Sequence, residues 1–163
     1  MKQEDKEQEC KKCGRVFGSV KCFDVDCPNN TPKITIKQED KELLLKDLYG
    51  RLPYKPQVEI IKDGTSITSK LTTATIKHLE DGYWDVKPYL FPLSNLTDKQ
   101  IFLSPFGYDT MDTIRKNKDW TTIEIGHNDY YELTDWFNKN HFDYRGLIGK
   151  SLALDATNLG IYE

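Results

Sequence analysis

The sequence predicts an α+β fold behind a small metal-bound head. Three observations predict it: four cysteines confined to residues 10–27, leucines at helical spacing from Leu44 to Leu52, and short β-prone segments separated by Asp-Gly turns. At 163 residues the chain has room for one ordinary domain plus an appendage. The expected division is a zinc-binding extension over 1–32 and an α+β domain over 33–163. Aromatic residues make up 12% and hydrophobic residues 37%, enough for a packed interior and against a globally disordered chain. The net charge of -3 provides no general excess of Lys and Arg for a phosphate backbone. Within the first 30 residues Lys2, Lys6, Lys11, Lys12, Arg15 and Lys21 are balanced by Glu4, Asp5, Glu7, Glu9, Asp24 and Asp26, so the head is not a basic arm.

The head is read from its cysteines. Cys10-Lys11-Lys12-Cys13-Gly14 has the spacing of a zinc knuckle, in which a tight turn aims two thiolates at one point and Gly tolerates a positive φ. Cys22 and Cys27, followed by Pro28, can close the tetrahedron at about 2.3 Å per ligand. Two disulfides are the competing reading, but they belong to oxidising compartments. Met1 to Gln8 is almost wholly charged and lacks the apolar stretch of a secretory signal, and no apolar run approaches the ~18 residues of a membrane span. A cytoplasmic location is therefore expected. Four clustered thiolates leave no open coordination position, which favours one structural Zn2+ per chain over a catalytic one. Gly14 to Lys21 is too short for a helix that reads the major groove, so the metal would staple a loop, with Val16, Phe17, Val20 and Phe23 as its apolar surface.

In the main domain, Thr35 to Gln38 reads as a capping box opening an amphipathic helix over 37–51, with Leu44, Leu45, Leu48, Tyr49 and Leu52 on its inner face and Leu52-Pro53 as its stop. Val58, Ile60 and Ile61, Asp63-Gly64, and the β-branched stretch from Ile67 to Leu79 predict a hairpin. Asp81-Gly82 reads as a second turn and Tyr83 to Val86 as a third strand, giving a small bent antiparallel sheet or open barrel. Lys87 to Leu93 carries Pro88 and Pro92 and reads as a rigid crossover, because each proline removes a ladder donor. Thr97 to Gln100 is a second capping box, and Ser104-Pro105 stops its short helix. Residues 104–119 read as loop with one helical turn near Met111 to Arg115, and Trp120 to Ile125 reads as a strand. Asn128 would cap a helix reaching Asn140, with Tyr131, Leu133, Trp136 and Phe137 inward. His141 to Ile148 then forms a compact turn, and Leu152-Ala153-Leu154 docks on the core.

Three stretches also carry a resemblance: Glu42 to Tyr54, Val86 to Ser94, and Asp135 to Asn138 with His141-Phe142-Asp143-Tyr144-Arg145-Gly146-Leu147-Ile148. Over residues 36–157 the chain resembles a group of small proteins from phages and prophages of gut Bacteroidales. The cysteine region lies outside the shared part. The resemblance implies a setting, a phage accessory protein acting inside its bacterial host, and no activity comes with it.

The search for chemistry leaves one constellation in the domain. His141, Asp143, Tyr144 and Arg145 could supply a general base with its carboxylate and an anion-holding guanidinium. The plainer reading has Phe142, Tyr144 and Leu147 anchoring a turn while Asp143 and Arg145 tie down its backbone, and that reading is preferred. His78 and His127 read as exposed polar residues. The glycines form no phosphate-cradling pattern, the scattered acids lack calcium-loop spacing, and no nucleophile elbow occurs. A protein-interaction or regulatory module, with a host or phage protein as partner, is the leading expectation. The alternatives are nucleic-acid binding through Lys11, Lys12 and Lys21 of the zinc extension, and a small enzyme centred on His141, Asp143 and Arg145.

Overall fold

The structure, a computed structural model, describes residues 36–62, 64–121, 123 and 126–162, together with two short strands at 8–9 and 16–17. The chain divides into two compact units, Met1–Thr35 and Ile36–Glu163. In the first, β1 (Gln8–Glu9) pairs antiparallel with β2 (Val16–Phe17), in the register Gln8↔Phe17 and Glu9↔Val16. In sequence, Cys10 and Cys13 fall between these two strands. All four cysteines lie outside the described residues, and so does the expected zinc geometry.

The second unit is α+β, with five α-helices and a small open sheet among the described residues. Its first helix, α1 (Gln38–Arg51), matches the leucine periodicity and buries Leu44 and Leu48, while Tyr49 is exposed. Lys37 is the N-cap and makes no side-chain cap bond, and the Gln38 amide reaches forward to Glu42 at 2.8 Å, while Thr35, the other half of the expected capping box, lies outside the described residues. A short 3-10 turn, Leu52–Tyr54, ends the helix at the proline, and Lys55 turns the chain in the left-handed region.

Next come β3 (Gln57–Lys62) and β4 (Thr65–Lys70), the expected hairpin, in six registered pairs from Gln57↔Lys70 to Lys62↔Thr65. The β-branched run does not continue as strand to Leu79: α2 (Thr73–Glu80) replaces its second half. Capping outweighs β-propensity here, because the Thr72 hydroxyl accepts the Thr75 N–H at 3.1 Å and Thr75, Ile76 and Leu79 recur at helical spacing on the buried side. Asp81-Gly82 is accordingly a helix C-terminus and not a hairpin turn, with Gly82 at φ 74° donating its N–H to the Leu79 carbonyl.

The largest departure from the sequence reading is β5 (Asp85–Pro92). This proline-bearing segment is the centre of the sheet, in the order β4-β3-β5-β6, with β7 also on β5. The prolines are tolerated because they sit where ladders end: Pro88 is the last pair of the β3 ladder (Val58↔Pro88) and Pro92 the last pair with β6. Both β6 (Phe142–Asp143) and β7 (Leu154–Asp155) run parallel to β5, so the sheet is mixed and not purely antiparallel.

The remaining helices follow β5. The capping box at Thr97 and Gln100 forms with both reciprocal bonds and opens α3 (Asp98–Phe102). Where a loop was expected, α4 (Tyr108–Asn117) runs for ten residues and buries Met111 and Ile114. Trp120, Thr121 and Ile123 are turn and bend, not strand, and the rest of that stretch to Ile125 lies outside the described residues. The Asp119 carboxylate accepts the Thr121 N–H at 2.8 Å, a local turn bond that competes with an extended backbone. Gly126, not Asn128, precedes α5 (His127–Lys139), which buries Leu133 and Phe137 and leaves Tyr131 exposed.

Two apolar cores result. Leu44 and Leu48 of α1, Ile76 and Leu79 of α2, and Val58, Ile60, Val86 and Leu90 of the sheet make an aliphatic core that Leu147, Leu152 and Ala153 join from the C-terminal segment. The second core is aromatic, with Trp120, Phe137, Phe142 and Tyr144 packed among Leu93, Leu96, Ile101, Met111, Ile114 and Leu133. Each fully buried large side chain contributes roughly 1.5–3 kcal/mol. No helix among the described residues is long and apolar enough to cross a membrane.

Candidate functional site

The segment from His141 to Ile148 lies where the two cores meet, and a buried charge network fixes it. Asp47 and Arg51 lie one turn apart on α1 and are both fully buried. Arg51 donates from Nε to Asp47 Oδ2 at 2.7 Å and from Nη2 to Asp47 Oδ1 at 3.1 Å, and Nη2 also donates to the Phe142 carbonyl at 2.8 Å. Arg145 adds a second cation, with Nε 3.3 Å from Asp47 Oδ1 and its guanidinium 4.7 Å from the Tyr144 ring centre. The Arg51 guanidinium lies 5.5 Å from the same ring. One carboxylate thus joins two guanidiniums around a tyrosine ring, and the network ties α1 to β6 and the turn beyond it.

The four residues singled out in sequence go to different partners. Asp143 turns back on its own loop: Oδ1 accepts the Leu147 N–H and Oδ2 the Ile148 N–H, each at 2.8 Å. Tyr144 is buried, stacks on Phe137 at 5.4 Å, and offers its carbonyl to the Trp120 indole N–H at 2.8 Å. Arg145 goes to Asp47. His141 adopts a left-handed backbone at φ 59° and stacks on the Tyr162 ring at 4.2 Å. Burial, then the nearby positive charge of Arg51, pushes its pKa down to about 4, so it is neutral and a poor proton acceptor at neutral pH. Asp143 makes no hydrogen bond to His141, so a carboxylate-oriented general base is not assembled. The arrangement fastens a C-terminal segment: Asp143 ties down the backbone of its own turn, whereas Arg145, expected to do the same, reaches the Asp47 carboxylate of α1.

Three participants were not picked out from sequence. Asp47 and Arg51 fall three residues after Leu44 and three after Leu48, so the leucine periodicity already placed them on the inner face of α1. Tyr162 carried no such signal. If the β3–β5 ladder ran one step past Val58↔Pro88, Gln57 would face Tyr89. The Tyr162 hydroxyl bridges those residues, accepting the Gln57 N–H at 3.2 Å and donating to the Tyr89 carbonyl at 2.6 Å. Burial pushes its pKa up to about 12, which keeps that donor protonated.

The other histidines stand apart. His78, expected to be exposed, is half-buried on α2, 3.9 Å from the Trp84 ring and 6.2 Å from Tyr83. His127 opens α5. Among the described residues no three His, Cys, Asp or Glu side chains gather as metal ligands. Among the described residues, large apolar side chains are exposed close together in sequence at the α3–α4 turn, where Phe102 is 80% exposed, Leu103 66% and Tyr108 48%, beside half-buried Phe106. Comparison with protein-family models, with curated proteins and with solved structures finds no match.

Proposed function

We propose that this chain is a non-enzymatic phage or prophage accessory protein of the bacterial cytoplasm, a protein-interaction or regulatory module with one structural zinc. The observation that carries the interaction reading is the ridge of Phe102, Leu103 and Tyr108 around Ser104-Pro105, three large apolar side chains close in sequence and left in solvent. Burying such a patch against another protein is favourable at roughly 25 cal/mol per Å2 of apolar surface. The fastening role of the His141 to Arg145 segment is consistent with it, because those side chains are engaged internally. For the head, Cys10, Cys13, Cys22 and Cys27 are the zinc ligands in this reading. The spacing of Cys10 and Cys13, with Gly14 directly after them, supports it, and in sequence both fall between the paired strands β1 and β2.

The test is copurification from the host of the wild-type chain and of a Phe102→Ser/Leu103→Ser variant, with zinc measured in the same samples. The expected result is a stoichiometric protein partner with the wild type, its loss with the variant, and one zinc per chain in both. A wild-type chain that recovers no partner, or a partner held equally by the variant, contradicts the ridge as the docking surface.

A further inference from the structure

The edge of the sheet points to a second copy of this chain. Strand β4 pairs with β3 along six residues and is the terminal strand in the order β4-β3-β5-β6. All six of its residues, Thr-Ser-Ile-Thr-Ser-Lys, are exposed, so no helix among the described residues covers either face. The edge also lacks the usual protections: it contains no proline, and its only charge is Lys70 at the end.

Register shows which face carries the apolar surface. Directly opposed residues of an antiparallel pair lie on the same face. Ile67 opposes Ile60, and Ile60 opposes Val86, so these three form one row on the core side of the sheet. Ile60 and Val86 are buried, whereas Ile67 is 55% exposed. The apolar row runs past the helices and stops in solvent at the edge.

We propose that β4 pairs antiparallel with β4 of a second copy about a two-fold axis perpendicular to the sheet, passing beside Ile67. Such an axis keeps the two core faces on one side, so each residue must meet a residue of its own face. The central register then sets Ile67 against Ile67 of the second copy, Thr65 against Ser69 and Ser66 against Thr68. The apolar row becomes continuous, from Val86 through Ile60 and Ile67 to the same three residues of the second copy. The hydroxyl pairs are favourable cross-strand neighbours. Lys70 falls opposite Gly64, the turn residue, so no like charges meet. A register shifted by two residues would either leave the isoleucines unpaired or bring the lysines toward the dyad. A short edge buries little surface, so the dimer forms at micromolar concentration, with a Kd of ~10–100 μM.

The experiment is sedimentation of the full chain over a concentration series, with Ile67→Lys, Ile67→Glu and their equimolar mixture. Because Ile67 is exposed, both variants should keep the wild-type amide spectrum, which is checked first. The expected result is a wild-type dimer, both variants shifted at least tenfold toward monomer, and a dimer recovered on mixing, since the register sets Lys against Glu across the axis. A wild type that stays monomeric throughout the series overturns the proposal and leaves the edge for a strand of a different protein. An Ile67→Lys variant that dimerises like the wild type also overturns it, by placing the contact elsewhere.

Discussion

Residues 1–35 hold all four cysteines and only a few large apolar side chains, whereas residues 36–163 hold no cysteine and bury two apolar cores. The difference teaches where each unit finds its stability. In the proposed zinc reading the first unit draws its stability from the metal, and structural zinc supplies about 10–16 kcal/mol of apparent binding energy in small peptides. The larger unit depends on burial and on the charge network at its seam. If that division is right, damage to one unit leaves the other intact.

The most damaging single change in the larger unit is Asp47→Ala, which strands Arg51 in the interior and removes the counter-charge of Arg145. The expected loss is ~3–5 kcal/mol, and Asp47→Leu with Arg51→Met should recover part of it, because paired buried charges can be replaced by apolar side chains of similar size while Arg145 still lacks its counter-charge. Urea unfolding of the single and double variants checks both. The two cores are compared directly by Phe137→Ala and Leu48→Ala, expected to cost ~3–5 and ~2–5 kcal/mol respectively. Both should unfold in one transition, since the 141–148 segment contributes to both cores. Two separate transitions would break them into independent parts.

Asp143→Ala should follow at ~1–3 kcal/mol, the cost of freeing the Leu147 and Ile148 N–H groups, with no change in zinc content. The pH dependence is smaller and has a definite sign. His141 titrates near 4 when folded and near 6.5 when unfolded, so the unfolded chain takes the proton first as pH falls. Stability from the neutral ring is full above about pH 6.5 and is lost between there and about pH 4. His141→Asn tolerates the left-handed backbone and should flatten that part of the urea-midpoint profile. Smallest is Thr72→Ala, a lost helix cap expected to cost ~1 kcal/mol.

What sequence could show depended on whether local or long-range forces decided the element. Helix α1 was legible because Leu44, Leu48 and the Leu52-Pro53 stop are all local signals, and so were the β3–β4 hairpin and the Thr97 capping box. Central strand β5 was not, because its prolines argue locally against a strand and only the ladder ends at Val58 and Asp143 make them harmless. Helix α2 was misread for a related reason: threonines with high β-propensity were outweighed by one cap and a buried face. In the candidate cluster, sequence found the residues but could not show that they diverge. Asp47 sits 96 positions before Asp143, and the partners that decide the question come from α1 and the C-terminal tail.

The independence of the two units is tested most directly by replacing Cys10 with Ser in the full chain and measuring bound zinc together with the amide spectrum. The account predicts loss of about one zinc per chain and collapse of the signals from residues 1–30 toward random-coil positions, with signals from 36–162 and the urea midpoint of the main domain unchanged. A main domain that loses its dispersed spectrum, or a variant that keeps its full zinc, would contradict it.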